Sequence, residues 1–194
     1  MDYQKAKKII GYHGTDAKNE KNILENNFKE STGSKQWLGN GVYFFIEKIL
    51  NPPEIDAKNW AIVNAWDNSL KRNIYLNYVV LKAEIKINNE KFLDLDTKEG
   101  LEIFSITKKE LYNKLKSSKK KKLKNDLTDS SIIEIIKIIR NIEFVKQEMY
   151  AQNSIFERIN KLFSRIPNIC ILAVSNPTNN INIHNIKTIL KGEI

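Results

Sequence analysis

Apolar positions along this chain fall into short runs whose spacing alternates between a strand period and a helix period. Ile9 to His13 reads as a short strand. Ala17, Leu24 and Phe28 follow at near-helical spacing, with Ile23 beside Leu24, and predict a modest amphipathic helix. Thr15 or Asp16 is placed to cap that segment by accepting a bond from a free backbone N–H. Glu30 to Gln36 holds Ser, Thr and Gly and reads as a loop. Gly41 to Ile46 is apolar almost throughout, which suits a strand covered on both faces. After the break at Asn51-Pro52-Pro53, Ile55 to Leu70 carries Ala57, Trp60, Ala61, Val63, Asn64 and Trp66 and predicts a helix. Ile74 to Ile87 is rich in Val, Ile, Leu and Tyr and predicts one long strand, and Phe92 to Asp96 alternates as a short one. Near the end, Ile169 to Val174 is a buried-type strand, Asn176 to Asn180 a turn, and Ile181 to Ile189 a last strand or edge.

Residues 97–165 differ in character. Seven lysines crowd between Lys114 and Lys124, and four are consecutive at Lys119, Lys120, Lys121 and Lys122. Ser131 with Glu134 three positions on fits a capping box. Behind it, Ile132, Ile133, Ile135, Ile136, Ile138, Ile139 and Ile142 form a wide apolar stripe at helical spacing. The segment is expected to be a Lys-rich helical insertion within a single domain spanning 1–194. Helices are not regularly interposed between the strands, so a doubly wound parallel sheet is disfavoured. An α+β fold with a split, mostly antiparallel sheet fits better.

Composition narrows the classes. At 194 residues with 41% hydrophobic content, the chain can bury a real core. A lone cysteine, Cys170, excludes an internal disulfide, and with two histidines it disfavours a His/Cys zinc site, so no metal is expected. No apolar run approaches the roughly 18 residues of a membrane span. The first residues lack the apolar stretch of a secretory signal. The expected location is therefore the cytoplasm, with no membrane partner. A formal net charge of +9 favours an acidic partner such as RNA or DNA. The lysines at 119–122 would contact its phosphates, unless they are a solvated face reflecting a Lys-, Asn- and Ile-rich composition. Aromatics are sparse around that run, with only Phe104 and Tyr112 near, so single-strand stacking is not expected there. No phosphate-binding loop, nucleophile elbow or HExxH pair is present.

Two motifs carry candidate chemistry. In Tyr12-His13-Gly14-Thr15 a histidine stands beside glycine on a strand, and Trp37-Leu38-Gly39-Asn40-Gly41-Val42-Tyr43-Phe44-Phe45 sets two glycines before an aromatic run. Glycine weakens a strand and often marks close approach of a ligand or another backbone. Imidazole can donate to one hydroxyl and accept from another. On the Ile55–Leu70 helix, Ala57 and Trp60 share a face. Taken singly, each pattern also suits a packing role.

Together these motifs resemble the NAD-binding core of the ADP-ribosyltransferase superfamily, in its poly(ADP-ribose) polymerase and diphtheria-toxin branch. The resemblance covers roughly residues 9–96 and 168–190. It implies a two-sheet core with NAD, as substrate, in a cleft. His13 would bond the adenosine ribose, and the Gly14 backbone would pair with the nicotinamide carboxamide, with Thr15 beside it. Tyr43 would stack on nicotinamide, while Ala57 and Trp60 complete the pocket. Val174-Ser175-Asn176-Pro177 resembles the strand end of bacterial relatives, a register that sets Ile171 where the family carries a glutamate. Glu148 or Glu157 could instead supply that carboxylate. The implied activity is transfer of a single ADP-ribose to a nucleic acid or protein with release of nicotinamide, in a bacterial toxin or phage-defence effector. In that setting an inhibitory partner protein is a further expectation. A non-catalytic binding module, or an NAD glycohydrolase using water, remains the alternative.

Overall fold

The computed structural model describes residues 7–33, 36–48, 51–117 and 127–194. The chain begins with strand β1 (Lys7–Asp16), followed by helix α1 (Glu20–Asn26) and strand β2 (Val42–Phe45). Helix α2 (Pro53–Ala65) leads to the short strands β3 (Trp66–Asp67) and β4 (Arg72–Asn73), then to the long β5 (Asn77–Ile87) and β6 (Phe92–Asp94). Helices α3 (Lys98–Ser117) and α4 (Asp129–Arg140) precede β7 (Phe144–Met149) and the short α5 (Ile155–Ile159). The chain closes with β8 (Ile169–Val174), the short α6 (Pro177–Asn180) and β9 (Lys187–Glu193). Among the described residues no helix is long and apolar enough to cross a membrane.

The fold is α+β. Seven strands form one mixed sheet in the order β6-β7-β8-β2-β1-β5-β9, and β3 and β4 form a separate two-stranded ribbon. Only β6 and β7 run parallel; the other neighbours are antiparallel. Alternation decides the layers. Along β8, Ile169, Ile171 and Ala173 face one core, and Cys170, Leu172 and Val174 face the other. The first core holds Ala57 and Ala61 of α2 and Ile132, Ile133 and Ile136 of α4. The second holds Ile23, Phe28, Ile181 and Ile186.

Several sequence expectations are corrected in detail. The stretch 97–165 is not simply a helical insertion, because its β7 sits inside the main sheet between β6 and β8. Its alternation, Phe144 and Val145 followed by Lys146, Gln147 and Glu148, is weakly apolar, and pairing rather than propensity makes it a strand. The α2 helix stops at Ala65 because the Asp67 carboxylate accepts the N–H groups of Ser69 and Leu70 and closes a turn. The expected capping box at Ser131 is absent. Thr128 caps α4 by accepting from the Ser131 N–H, and Glu134 is used elsewhere. The wide isoleucine stripe is also narrower than expected, since Ile138 and Ile139 are exposed. The expected two-sheet split is, in strand order, one sheet, but β1 and β2 meet through a single register pair, Tyr12 with Phe45.

Candidate functional site

The site lies where β1 and β2 stop pairing. Strand β1 is held along its other edge by ten register pairs with β5. Beyond Tyr12 the β2 ladder ends, and the His13 side chain takes over: its Nδ1 lies 2.8 Å from the Tyr43 carbonyl oxygen. A carbonyl only accepts, so Nδ1 carries the proton and Nε2 keeps its lone pair for a hydroxyl donor. Burial pulls the His13 pKa below the ordinary imidazole range, and the bond to Tyr43 opposes it more weakly, so the ring is neutral at pH 7. Phe28 and Phe44 hold the ring edge-on at centroid distances of 5.3 and 5.9 Å.

Glycine at position 14 has a steric cause. A Cβ there would lie 1.8 Å from the Ala57 carbonyl oxygen, so α2 can press onto β1 only if residue 14 has no side chain. Tyr43 is fixed by the loop before it: its hydroxyl donates to the Gly39 carbonyl at 2.6 Å and accepts the Leu38 N–H at 2.8 Å. Burial raises its pKa, so the phenol stays protonated. That loop is bolted to α4. Glu134 accepts the Asn40 N–H at 2.7 Å and the Asn40 side-chain amide at 2.9 Å, and Lys137 donates to the Asn40 carbonyl. Gly39 has φ +76°, and a Cβ there would meet the Glu134 carboxylate.

These groups surround a cavity of about 350 Å³ lined by His13, Gly14, Tyr43, Phe45, Trp60 and Ile171, among others. Ile171 enters because β8 pairs with β2 in the register Phe45 with Ile171, which puts both side chains on one face. His13, Gly14, Tyr43, Trp60 and Ile171 therefore come together from four separate elements. Two of the expected contacts do not join them. Ala57 is fully buried beneath Gly14, and Thr15 accepts the Asn19 side-chain amide at 3.0 Å. Neither expected substitute for the family's glutamate reaches the cavity. Glu148 is exposed on β7 and paired with Lys48 at 3.1 Å, and Glu157 accepts from Tyr150 and Ser154. Among the described residues, no carboxylate lines the cavity. Lys119 to Lys122 lie outside the described residues.

Sequence reasoning missed Ser31, Gln36, Trp37 and Asn64 as lining residues. A signal existed for two of them: Asn64 is one helical turn beyond Trp60, and Trp37 opens the glycine-rich motif. Away from the cavity, Asp96, Glu148 and Cys170 bring their ligand-type atoms within 4.8 Å of one another. Lys146 already pairs with Asp96, and Lys48 with Glu148, so those carboxylate charges are offset. Burial pushes the Cys170 thiol up to about 11, leaving it a protonated core residue.

No protein-family model matches the chain. The uncharacterized protein MJ0359 of Methanocaldococcus jannaschii is 29% identical over 126 residues, which cover 63% of this chain and 52% of that protein. The chain thus matches about half the length of that relative.

Proposed function

We propose that the chain binds NAD in the cavity at the β1–β2 split and transfers a single ADP-ribose to a macromolecular acceptor. The observation that carries this is the convergence of His13 and Gly14 with Tyr43, Trp60 and Ile171 on one cavity. The neutral His13 offers Nε2 to a ribose hydroxyl. The Tyr43 and Trp60 rings offer π-faces to a nicotinamide that is cationic while bonded to ribose. In the transfer, the bond between ribose C1′ and nicotinamide nitrogen breaks, and its electron pair leaves on nicotinamide. A lone pair of the acceptor forms the new bond to C1′, and the acceptor's proton passes to solvent. Orientation and water exclusion would supply most of the rate, since no carboxylate of the described residues lines the cavity to polarise the acceptor.

Ile171 in that wall also favours a second reading, in which the cavity binds NAD without turnover or passes ADP-ribose to water. Incubation of the purified protein with labelled NAD, with and without RNA, DNA and protein, separates the three. Labelled acceptor plus free nicotinamide supports transfer. Nicotinamide alone identifies hydrolysis, and binding without turnover identifies a module. His13→Ala and Tyr43→Ala should each lower NAD turnover at least tenfold, about 1.4 kcal/mol, with the fold retained. Wild-type turnover in either folded variant overturns the assignment.

A further inference from the structure

All three tryptophans of the chain meet in a second space of about 460 Å³ beside the first. Trp37, Trp60 and Trp66 line it with Asn68, Gln152 and Arg158, and Trp37 and Trp60 also line the cavity described above. Trp37 comes from the loop before β2, Trp60 from α2, Trp66 from β3 and Arg158 from α5. Trp37 and Trp60 pack edge-to-face with centroids 4.9 Å apart, while Trp37 and Trp66 remain 38% and 47% exposed. So much indole surface left in water around one groove marks a binding site rather than a core.

The charge of the groove selects its guest. The Arg158 guanidinium lies 5.7 Å from the centre of the Trp60 ring and is anchored by the Val63 carbonyl at 2.9 Å and the Asn64 side chain at 3.4 Å. Among the described residues no carboxylate pairs with it. A cationic guest, such as a lysine or alkylammonium side chain, would meet a guanidinium already placed over the aromatic face, in a chain of net charge +9. A flat guest joined to an anionic backbone meets the exposed rings of Trp37 and Trp66, the Arg158 charge, and the side-chain amides of Asn68 and Gln152, which keep bonding capacity beyond the bond Asn68 accepts from Trp66 and the one Gln152 donates to Leu162. Every nucleobase has a π-face, and only unpaired bases present it, because in a duplex the bases stack on one another.

We infer that this groove holds an unpaired base of a single-stranded nucleic acid, and that it is the acceptor side of the proposed transferase. The second clause rests on the NAD reading of the neighbouring cavity; the first does not. The stacking platform is built by residues distant from the lysine run in sequence, which is why the sparse aromatics of that run did not announce it.

The test is a titration of the full chain with fluorescently labelled single-stranded RNA and DNA 12-mers and with the matching duplex, at low salt, beside calorimetric titration with NAD. Single strands should bind at least tenfold more tightly than duplex. Trp66→Ala should weaken single-strand binding tenfold or more, and Trp66→Phe, which keeps a ring, should restore most of it. NAD affinity should not follow Trp66. Circular dichroism checks that the variants fold. Equal affinity for duplex and single strand, or wild-type binding by folded Trp66→Ala, overturns the groove assignment. So does a variant that loses NAD rather than the oligonucleotide, because the groove would then belong to the donor. Trp66-dependent oligonucleotide binding by a protein that does not bind NAD upholds the base site and overturns the NAD reading together with the acceptor assignment that rests on it.

Discussion

The two edges of β1 are built to opposite specifications. Toward β5 the strand is zipped through ten register pairs, and its partners Val79, Val80, Leu81 and Ala83 are fully buried. Toward β2 it keeps one pair, Tyr12 with Phe45, and then opens into a cavity. The same residues serve both edges: His13 is the register partner of Leu81 on one side and bonds the Tyr43 carbonyl on the other. A strand can give up its ladder on one edge only if the other edge fixes its position. The closed edge therefore carries stability, and the open edge carries candidate chemistry.

That contrast can be broken from either side. The largest effect is expected on the closed edge, where Leu81→Ala should cost about 2–5 kcal/mol by leaving a cavity among fully buried neighbours. Its register partner is the control: His13→Ala should cut NAD turnover far more than it lowers the denaturation midpoint. Equal stability losses in the two urea titrations would erase the distinction.

Gly14→Ala tests the cover of the open edge. Its methyl group would meet the Ala57 backbone oxygen, which cannot rotate away, so α2 must shift. A loss of about 3 kcal/mol is expected, together with loss of NAD binding. A stable Gly14→Ala protein that binds NAD normally would show that α2 is looser than its contacts imply.

An effect of opposite sign and at most equal size is expected one residue before Ala57. Asp56 is only 4% exposed, and burial raises its carboxyl to about 6, against bonds from Asn153 and Asn51 that pull it down. Between about pH 4 and pH 6 the folded chain then binds more protons at this site than the unfolded chain, so stability falls as pH rises through that window. The penalty is complete above it, at most about 3 kcal/mol on the scale of 1.36 kcal/mol per unit. Asp56→Asn should raise the melting temperature at pH 7.5 and leave it nearly unchanged at pH 4. A variant that melts lower at pH 7.5 would mean that the Asp56 charge is needed in its place.

Local sequence held much of this. Strand and helix periods gave the first strand, helix and second strand and, later, β8, because alternation and the 3.6-residue repeat are properties of a few adjacent residues; the last strand, expected over Ile181–Ile189, instead runs Lys187–Glu193 behind a 3-10 turn at Ile183–Asn185. The glycines at 14 and 39 announced close approach, and the structure supplies the atoms that approach them: the Ala57 carbonyl and the Glu134 carboxylate. Ala57 shows the limit of such reading. Its small size was legible as pocket chemistry, whereas the structure uses it to bring helix backbone onto strand backbone.

What the sequence determined by itself was the α+β class, the identity of the two glycine-flanked motifs and the basic character of the chain. Only the tertiary structure decided that Phe144–Met149 is a sheet strand, since Lys146, Gln147 and Glu148 gain their strand pairing from β6 and β8 and not from their own propensity. Only it decided that Glu134 braces Asn40 across 94 residues of chain, and that Trp37, Trp60 and Trp66 share one groove with Arg158. Register and packing bring together positions that no local period relates, and the open edge of β1 exists because β2 pairs with β8 through four residues and with β1 through only one.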